Sequence, residues 1–300
     1  MSATAAKSEP KLPKLAKDGT GPAITRPSWL MFSVMCVVAL YFLIPLWWFL
    51  VSATKSQSDL FTTFPFWFSK PQPIKNFVDT INYDGGSFVI WTRNSLLYSV
   101  VGGLLSTLVS TMAGYAIAKY QFKGRNFVFD MVLAATLMPL ILLTIPLYLL
   151  FSEIGLVNTP WAIILPVIIN PFGIYLCRIY AETIPNDLIE AGRIDGASEW
   201  QIFWRIGVRI MSPALVTVFL IKFVGIWANF FLPMMMVSSP QWQPLSVGIV
   251  NWQETQQTGA AVPTNLVIFG AFLSVLPIIL LFLFLQRYWR EGLTAGSVKA

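Results

Sequence analysis

Six apolar stretches, each about as long as a membrane is thick, dominate this sequence. A helix needs about 20 predominantly apolar residues to cross the hydrocarbon core of a bilayer. The stretches are Trp29–Val51, Ser95–Ala118, Phe127–Phe151, Trp161–Tyr180, Ala214–Val237 and Leu266–Leu285. Only 11% of the 300 residues are charged, whereas soluble domains carry about 25% charged residues. The sequence therefore predicts an all-α, polytopic membrane protein in which six transmembrane helices form one bundle.

Basic residues are concentrated on one side of this predicted bundle. Of the 20 Lys and Arg, five fall in residues 1–28, and three fall in each of the segments 119–126, 182–213 and 286–300. These four segments share one side of the bundle. The loops of the other side carry Lys55, Lys70 and Lys75. Because loops rich in Lys and Arg stay in the cytoplasm, both termini are predicted to be cytoplasmic. The net charge of +6 then reflects the orientation of the chain in the membrane and does not indicate nucleic-acid binding.

The chain divides into three predicted segments. Residues 1–28 form a disordered cytoplasmic tail, because the segment is rich in Lys, Pro, Ala and Gly. Residues 29–285 form the membrane domain, which includes the cytoplasmic loop 182–213. Residues 286–300 form a cytoplasmic C-terminal tail. No cleaved signal peptide is expected, since the first apolar run exceeds the usual core of such peptides.

The loop 182–213 has the pattern of a helix, a sharp bend and a second helix. The first helix is predicted over Asn186–Ile194, and Asp195-Gly196 is turn chemistry that should end it. Ser198 is followed three residues later by a glutamine, which is the spacing of a capping box. It predicts a second helix over Glu199–Ile210. Helices this short are marginal in water, so the element needs a surface to pack on, either a partner protein or lipid headgroups.

The fifth apolar stretch contains three candidate substrate contacts. Lys222 is the sole basic residue well inside a stretch, roughly eight residues or ~12 Å along a helix from Ala214. It suits a substrate or gating role, or a structural pairing near the cytoplasmic side. Trp227 and Asn229 follow it, and an aromatic plane beside an amide suits a sugar ring and its hydroxyls. Both residue types also serve as interface anchors or helix contacts in membranes.

The loop resembles the cytoplasmic coupling loop, often called the EAA loop, of permease subunits of bacterial ABC importers. The resemblance is carried by Glu190, Ala191, Asp195, Gly196, Ala197, Phe203 and Ile206. Gly192 stands where the family usually has a second alanine. The resemblance implies that these residues, with Gly192 and Ser198, couple the chain to an ATPase.

A wider resemblance, to carbohydrate-type ABC permeases related to MalG, extends from the first span to the C-terminus. It is carried by Asn94–Leu96, Ile145–Tyr148, Gly155–Thr159, Gln286–Tyr288 and Gly292–Gly296. It implies the type I ABC importer permease fold in the bacterial cytoplasmic (inner) membrane. It also implies a second homologous permease, two copies of a nucleotide-binding ATPase and an extracytoplasmic solute-binding protein, with membrane lipid around the bundle.

The predicted function is ATP-driven import of a mono- or oligosaccharide, or of a related polyol or sugar phosphate. The chain has no histidine and no Gly-Lys-Ser/Thr phosphate loop. We therefore expect no catalytic residue, metal site or cofactor here, and place ATP and Mg on the partner ATPase. The alternative, an ion-coupled secondary carrier, would normally need acidic groups at mid-membrane. A membrane-embedded sugar transferase would need clustered acids or metal ligands. Both features are lacking.

Three further patterns leave alternatives open. A stripe of small residues allows close helix contact, either internal or with a second subunit: Gly102, Ser106, Ser110, Gly114 and Ala118.

Pro139 and Pro146 predict kinks in the third stretch, which accompany translocation paths but also occur in plain membrane helices. The outer segments 54–92 and 238–264 carry tryptophans that serve either a binding protein or an aromatic belt: Trp67, Trp91, Trp242 and Trp252.

Overall fold

A computed structural model of the chain describes residues 29–257 and 262–295. All regular secondary structure in those ranges is helical, which confirms the all-α class. The predicted tail 1–28 and residues 296–300 of the predicted C-terminal tail lie outside the described residues. The α-helices of the described ranges are α1 (Trp29–Ala53), α2 (Gln57–Thr62), α3 (Pro73–Asn82), α4 (Ser87–Lys119), α5 (Arg125–Thr136), α6 (Thr144–Glu153), α7 (Trp161–Ile168), α8 (Pro171–Glu182), α9 (Asn186–Ile194), α10 (Glu199–Ile202), α11 (Val208–Ile210), α12 (Ser212–Trp227), α13 (Phe231–Met236), α14 (Leu245–Gln257) and α15 (Thr264–Ala295).

The chain divides into two units after Leu46. The described part of the first unit, residues 29–46, belongs to α1, and its side chains are exposed throughout. A helix that is apolar on all sides is typical of a membrane span. The second unit begins at Trp47 and contains the remaining helices.

Three of the predicted spans are unbroken and three are not. The stretches Trp29–Ala53, Pro73–Lys119 and Thr264–Gln286 are each long and apolar enough to cross a membrane. Three bent helix pairs pass the same test only together: α5 with Leu140–Glu153 at 95°, α7 with α8 at 40°, and Glu199–Ile210 with α12 at 76°. The described residues therefore hold three spans, or up to six if each bent pair crosses as one.

Proline positions account for two of the breaks. Pro139 is extended, with ψ 123°, and ends the path of α5 before a 3₁₀ turn at Leu140–Leu143. Asn170 is also extended, at φ −128° and ψ 92°, directly before Pro171, because proline disfavours the α conformation in the residue that precedes it. No break occurs at Pro146, which lies in the first turn of α6, where the N–H that proline lacks has no intrahelical partner anyway.

Helix α4 lies at the centre of the second unit and packs against α7, α8 and α12. The small-residue stripe makes these contacts possible. A Cβ atom on Gly114 would lie 2.6 Å from Cβ of Cys177, and one on Gly102 would lie 3.0 Å from Cδ1 of Ile226. The stripe is therefore an internal helix contact, which decides between the two alternatives that the sequence left open.

Hydrogen bonds from the start of α4 hold the segment after α13. The side-chain amide of Asn94 donates to the carbonyls of Gln241 and Gln243 at 2.8 and 3.0 Å, and the Tyr98 hydroxyl donates to that of Trp242 at 2.8 Å. Asn158 joins the same segment, since its Oδ1 accepts from the Ser239 N–H at 2.8 Å. Two of the motifs behind the wider resemblance thus fix one end of the bundle.

Candidate functional site

The loop 182–213 folds as predicted around the Asp195-Gly196 bend. Helix α9 ends in a Schellman motif, in which the Gly196 and Ala197 N–H groups donate to the carbonyls of Arg193 and Gly192, both at 3.0 Å. Gly196 has φ +77°, a conformation that glycine adopts without steric cost. The capping box is also confirmed, with Ser198 as the cap of α10.

The second helix of the loop is less regular than predicted. It is α-helical at Glu199–Ile202, forms a π turn over Phe203–Gly207 and returns to α at Val208–Ile210. Such π turns are frequent at functional sites. Phe203 is buried, with its ring centroid 5.1 Å from that of Tyr115, and Ile206 packs on the same cluster. These two residues position the loop against the bundle.

An apolar face of the loop is left exposed. Leu188, Ala191 and Ile194 follow one another at helical spacing on α9 and are all exposed, Ile194 to 86%. Trp200 and Trp204 add exposed indoles, at 57% and 40%. Exposed apolar patches mark contacts with a protein or a membrane, so this face is a candidate docking surface.

The remaining predicted loop residues lie around this surface. Glu190, Asp195 and Ser198 are exposed, whereas Gly192 and Ala197 are partly buried. A Cβ atom on Gly192 would lie 3.2 Å from Cγ1 of Ile202. The Asp195 side chain makes no hydrogen bond or ion pair with the described side chains of residues 29–255 and 262–286, so none of these occupies its carboxylate.

Two residues at the end of α4 tie both loop helices to the bundle. Lys119 Nζ donates to the Ile184 carbonyl at 2.6 Å and to Asn186 Oδ1 at 3.1 Å. The Tyr120 hydroxyl donates to Glu199 Oε2 at 2.9 Å. Nothing in the sequence pattern indicated a role for these two side chains beyond the positive charge of Lys119, because both bonds join residues more than 60 positions apart.

Glu199 accepts hydrogen bonds from both Tyr120 and Arg193 in this attachment. Arg193 Nε lies 2.6 Å from Glu199 Oε1. The hydrogen bond from Arg193 lowers the pKa of Glu199, and the bond from Tyr120 adds to the effect. Desolvation, together with the bond to Glu199, raises the pKa of Tyr120 to about 12. Glu199 is therefore a carboxylate acceptor, and Tyr120 a neutral donor, at neutral pH.

Lys222 lines a half-open cavity of about 620 Å³ at the surface of the second unit, where the lining residues Met138, Ile169 and Phe172 are exposed. Besides α12, the cavity borders the other two bent helix pairs, with Thr136, Met138 and Leu140 on one side and Asn170 and Pro171 on another. Lys222 has no hydrogen-bond or ion-pair partner in the part of the chain that the structure describes. A substrate or gating role therefore remains open to it, and no structural pairing occupies it within the described residues.

The structure does not bring Trp227 and Asn229 together with Lys222 at this cavity, which neither of them lines. The Trp227 indole is buried, stacks on Phe223 at 5.8 Å and donates to the Ser274 carbonyl at 3.0 Å. Asn229 lies between α12 and α13, where its Oδ1 accepts from the Leu232 N–H at 3.3 Å. Both side chains have packing or capping contacts here.

The outer tryptophans differ in their environment. Trp91 and Trp252 are each 4% exposed, and their ring centroids lie 5.0 Å apart, so they belong to the core. Trp67 is 64% exposed, and Trp242 is partly buried against the cluster around Tyr98. Of the four, Trp67 is the one most available to a partner or a membrane interface.

The chain is similar in sequence to known proteins over most of its length. The family model of the binding-protein-dependent transport system inner membrane component matches residues 106–293. The arabinooligosaccharides transport system permease protein AraQ of Halalkalibacterium halodurans is 34% identical over 285 residues, which cover 94% of this chain and 99% of that protein. The lactose transport system permease protein LacG of Rhizobium radiobacter is 29% identical, over 91% of this chain and 97% of that protein.

A solved structure shows the same fold. It is a crystal structure of a bacterial ABC transporter involved in the import of the acidic polysaccharide alginate, and one of its chains superposes with a TM-score of 0.75 at 21% identity. The match covers 86% of this chain and 95% of that chain, which confirms the permease fold that the sequence predicted. The match to the family model over residues 106–293 and the relative that is 34% identical over 94% of the chain show that the chain belongs to the family of binding-protein-dependent transport system inner membrane components.

Proposed function

We propose that this chain is a permease subunit of an ATP-driven ABC importer for a mono- or oligosaccharide, or for a related polyol or sugar phosphate. Family membership supports solute transport with a binding protein. The carbohydrates named for the relatives, arabino-oligosaccharides and lactose, support the substrate class. The solute would be delivered by an extracytoplasmic solute-binding protein.

The proposed assembly contains a second, homologous permease and two copies of a nucleotide-binding ATPase. ATP and Mg would bind to the ATPase copies, so this chain would not itself be an enzyme. The complex would lie in the bacterial cytoplasmic membrane with both termini of this chain inside the cell, as the distribution of Lys and Arg favours.

The exposed face of the loop 182–213 carries the coupling proposal. Its apolar side chains, the free Asp195 carboxylate and the rigid Schellman turn form a preorganised docking surface. An ATPase pair that closes on ATP would pull this surface, and Lys119 and Tyr120 would pass the movement to α4. Switching a two-state bundle from 1:99 to 99:1 takes about 5.5 kcal/mol, which differential ATP binding would have to supply.

Co-purification tests the assembly. The chain, tagged at its C-terminus, would be purified in mild detergent from native membranes, and its partners identified by mass spectrometry. We expect an ATPase and a second permease. A protein recovered alone or only with itself, under conditions that preserve known ABC complexes, would instead favour the ion-coupled carrier.

Substitutions in the Asp195-Gly196 turn test the coupling role. Gly196→Pro is incompatible with φ +77° because proline fixes φ near −65°, and Asp195→Ala removes the free carboxylate. Both variants should reach the membrane but lose ATP-dependent uptake. Gly124→Pro is the matched control, since Gly124 also has positive φ and open space around it, in another predicted cytoplasmic loop. Normal uptake by both Asp195→Ala and Gly196→Pro would refute the coupling role.

A further inference from the structure

Lys222 is a cation on α12 that has no counter-ion among the side chains that the structure describes. It is the eleventh residue of α12, which places it roughly 15 Å from the helix start, near the midplane of a core about 30 Å thick. A charged group at this depth is costly unless it is paired or lines a water-filled cavity, and it marks a substrate or ion pathway by default. The unpaired state of Lys222 therefore calls for a ligand.

Two other basic side chains of the second unit, those of Lys55 and Arg178, have hydrogen-bond or ion-pair partners. Lys55 is 1% exposed and donates to Thr63 Oγ1 at 3.0 Å and to the Phe64 carbonyl at 2.6 Å. Arg178 pairs with Glu182 at 2.9 Å and lies 3.5 Å above the Phe129 ring. Lys222 has no such partner among the described side chains of residues 29–255 and 262–286, so its cavity, unlike these sites, is open for an acceptor.

The walls of the cavity add positive potential and no negative charge. None of the residues that line it is acidic. Asn170, Pro171 and Phe172, at the N-terminus of the twelve-residue helix α8, lie on its wall, and a helix N-terminus carries about half a positive charge. The Asn170 amide is not a donor to this space, because its Nδ2 is inaccessible and lies beside Gly173 and Ser110, in the contact between α8 and α4. The groups around the cavity that attract an anion are thus a cation and a helix N-terminus.

From this arrangement we infer that the cavity accepts the carboxylate of an acidic sugar, with Lys222 as its counter-ion. The volume of about 620 Å³ lies within the range of about 300–1,000 Å³ that small-molecule sites occupy. The cavity wall is mostly apolar, which suits the carbon faces of a sugar ring. The inference relies on the proposed function for the carbohydrate nature of the ligand, and adds that the carbohydrate is anionic.

A thiol-protection assay measures occupancy of the cavity directly. The tagged complex is reconstituted in phosphatidylcholine liposomes with Cys36→Ser and Thr136→Cys. Thr136 lines the cavity, and the native Cys177 is fully buried and can stay. The reaction of the new thiol with a neutral methanethiosulfonate is timed in the presence of D-galacturonate or D-galactose. D-galacturonate carries a carboxylate where D-galactose carries a hydroxymethyl group, and the two sugars are otherwise the same.

We expect D-galacturonate to protect the thiol at an about tenfold lower concentration than D-galactose, the effect of one charge-assisted hydrogen bond. Lys222→Arg should keep this preference, and Lys222→Met and Lys222→Gln should abolish it. The reaction rate without sugar reports whether a variant keeps the shape of the cavity. The comparison of the two sugars with Lys222 intact decides the question even if a variant misfolds.

Three results would overturn the inference. The first is equal protection by both sugars, which would indicate that the counter-ion of Lys222 is an acidic residue of a partner subunit. The second is a preference for D-galacturonate that survives both neutral variants. The third is protection by phosphatidylglycerol alone, which would make the ligand a lipid headgroup. Because the assay needs neither ATP nor a binding protein, its failure is distinct from a failure to co-purify the ATPase.

Discussion

At the scale of single residues, glycines decide how closely the helices of this protein approach one another. Gly248 on α14 packs directly against the indole of Trp91, and a Cβ at this position would overlap the ring. Gly114 is in the same situation against Cys177. Trp91 is also in contact with Trp252 and belongs to the buried cluster between α4, α14 and α15, so it has little room to move.

Gly248→Ala should therefore destabilise the protein, although alanine is the better helix former. Overpacking a filled core costs about 1–3 kcal/mol, and we expect a lower thermal midpoint of the purified protein in detergent, followed by size-exclusion chromatography. Gly225→Ala is the control, because a Cβ on Gly225 meets no atom within 4 Å. An unchanged midpoint for Gly248→Ala would mean that the Trp91 ring is not held in place as described.

At the scale of elements, the loop 182–213 is attached to α4 by a few polar bonds, and each can be removed. Tyr120→Phe deletes the hydroxyl that donates to Glu199 but keeps the ring. Losing a net hydrogen bond of about 1 kcal/mol should speed amide hydrogen exchange in α10 and lower the uptake per ATP hydrolysed. Tyr180→Phe is the control, since the Tyr180 hydroxyl has no hydrogen-bond partner among the described residues. Unchanged exchange in α10 would remove Tyr120 from the attachment.

The same attachment should weaken in acid. Arg193 and then Tyr120 lower the pKa of Glu199 in the folded protein. A group of this kind contributes stability that is complete above its unfolded pKa, about 4.3, and is lost as the pH falls through the folded value. Protection of α10 from hydrogen exchange, corrected for the intrinsic rate, should be constant from about pH 8 to 5 and fall below about 4.3. Glu199→Gln should flatten this profile, and a wild-type profile without the acid decrease would contradict the assigned pair.

At the scale of the whole molecule, the number of membrane crossings decides which loops face the cytoplasm. If α5 with Leu140–Glu153, α7 with α8, and α12 each cross once, six crossings place both termini on one side, with the loop 182–213 among the cytoplasmic segments. Fusions of alkaline phosphatase after Gln253 should then be active, and a green fluorescent protein at the C-terminus should fluoresce. A fluorescent fusion after Gln253 would show that at least one bent pair returns to the side from which it entered.

The sequence was sufficient for the features that depend on local pattern. Apolar stretches of membrane length, the Schellman glycine at Gly196 and the capping box at Ser198 are all encoded within a few residues, because their hydrogen bonds join near neighbours. The structure confirms α9 residue for residue and places the start of α10 at Glu199 as predicted. The family motifs likewise lie in short segments, so they were visible without a fold.

Long-range packing decided the rest. The sequence did not show that Tyr120 meets Glu199, that Trp227 faces Ser274 or that the fourth stretch breaks at Asn170. It also left open whether the small-residue stripe was internal, which the contact between Gly114 and Cys177 settles. The periodicity of apolar residues indicates that a side chain is removed from water, but it does not indicate which part of the protein that side chain packs against. The free Lys222 is the clearest case: its charge is plain in the sequence, and only the tertiary structure shows a cavity around it in which no described residue is its counter-ion.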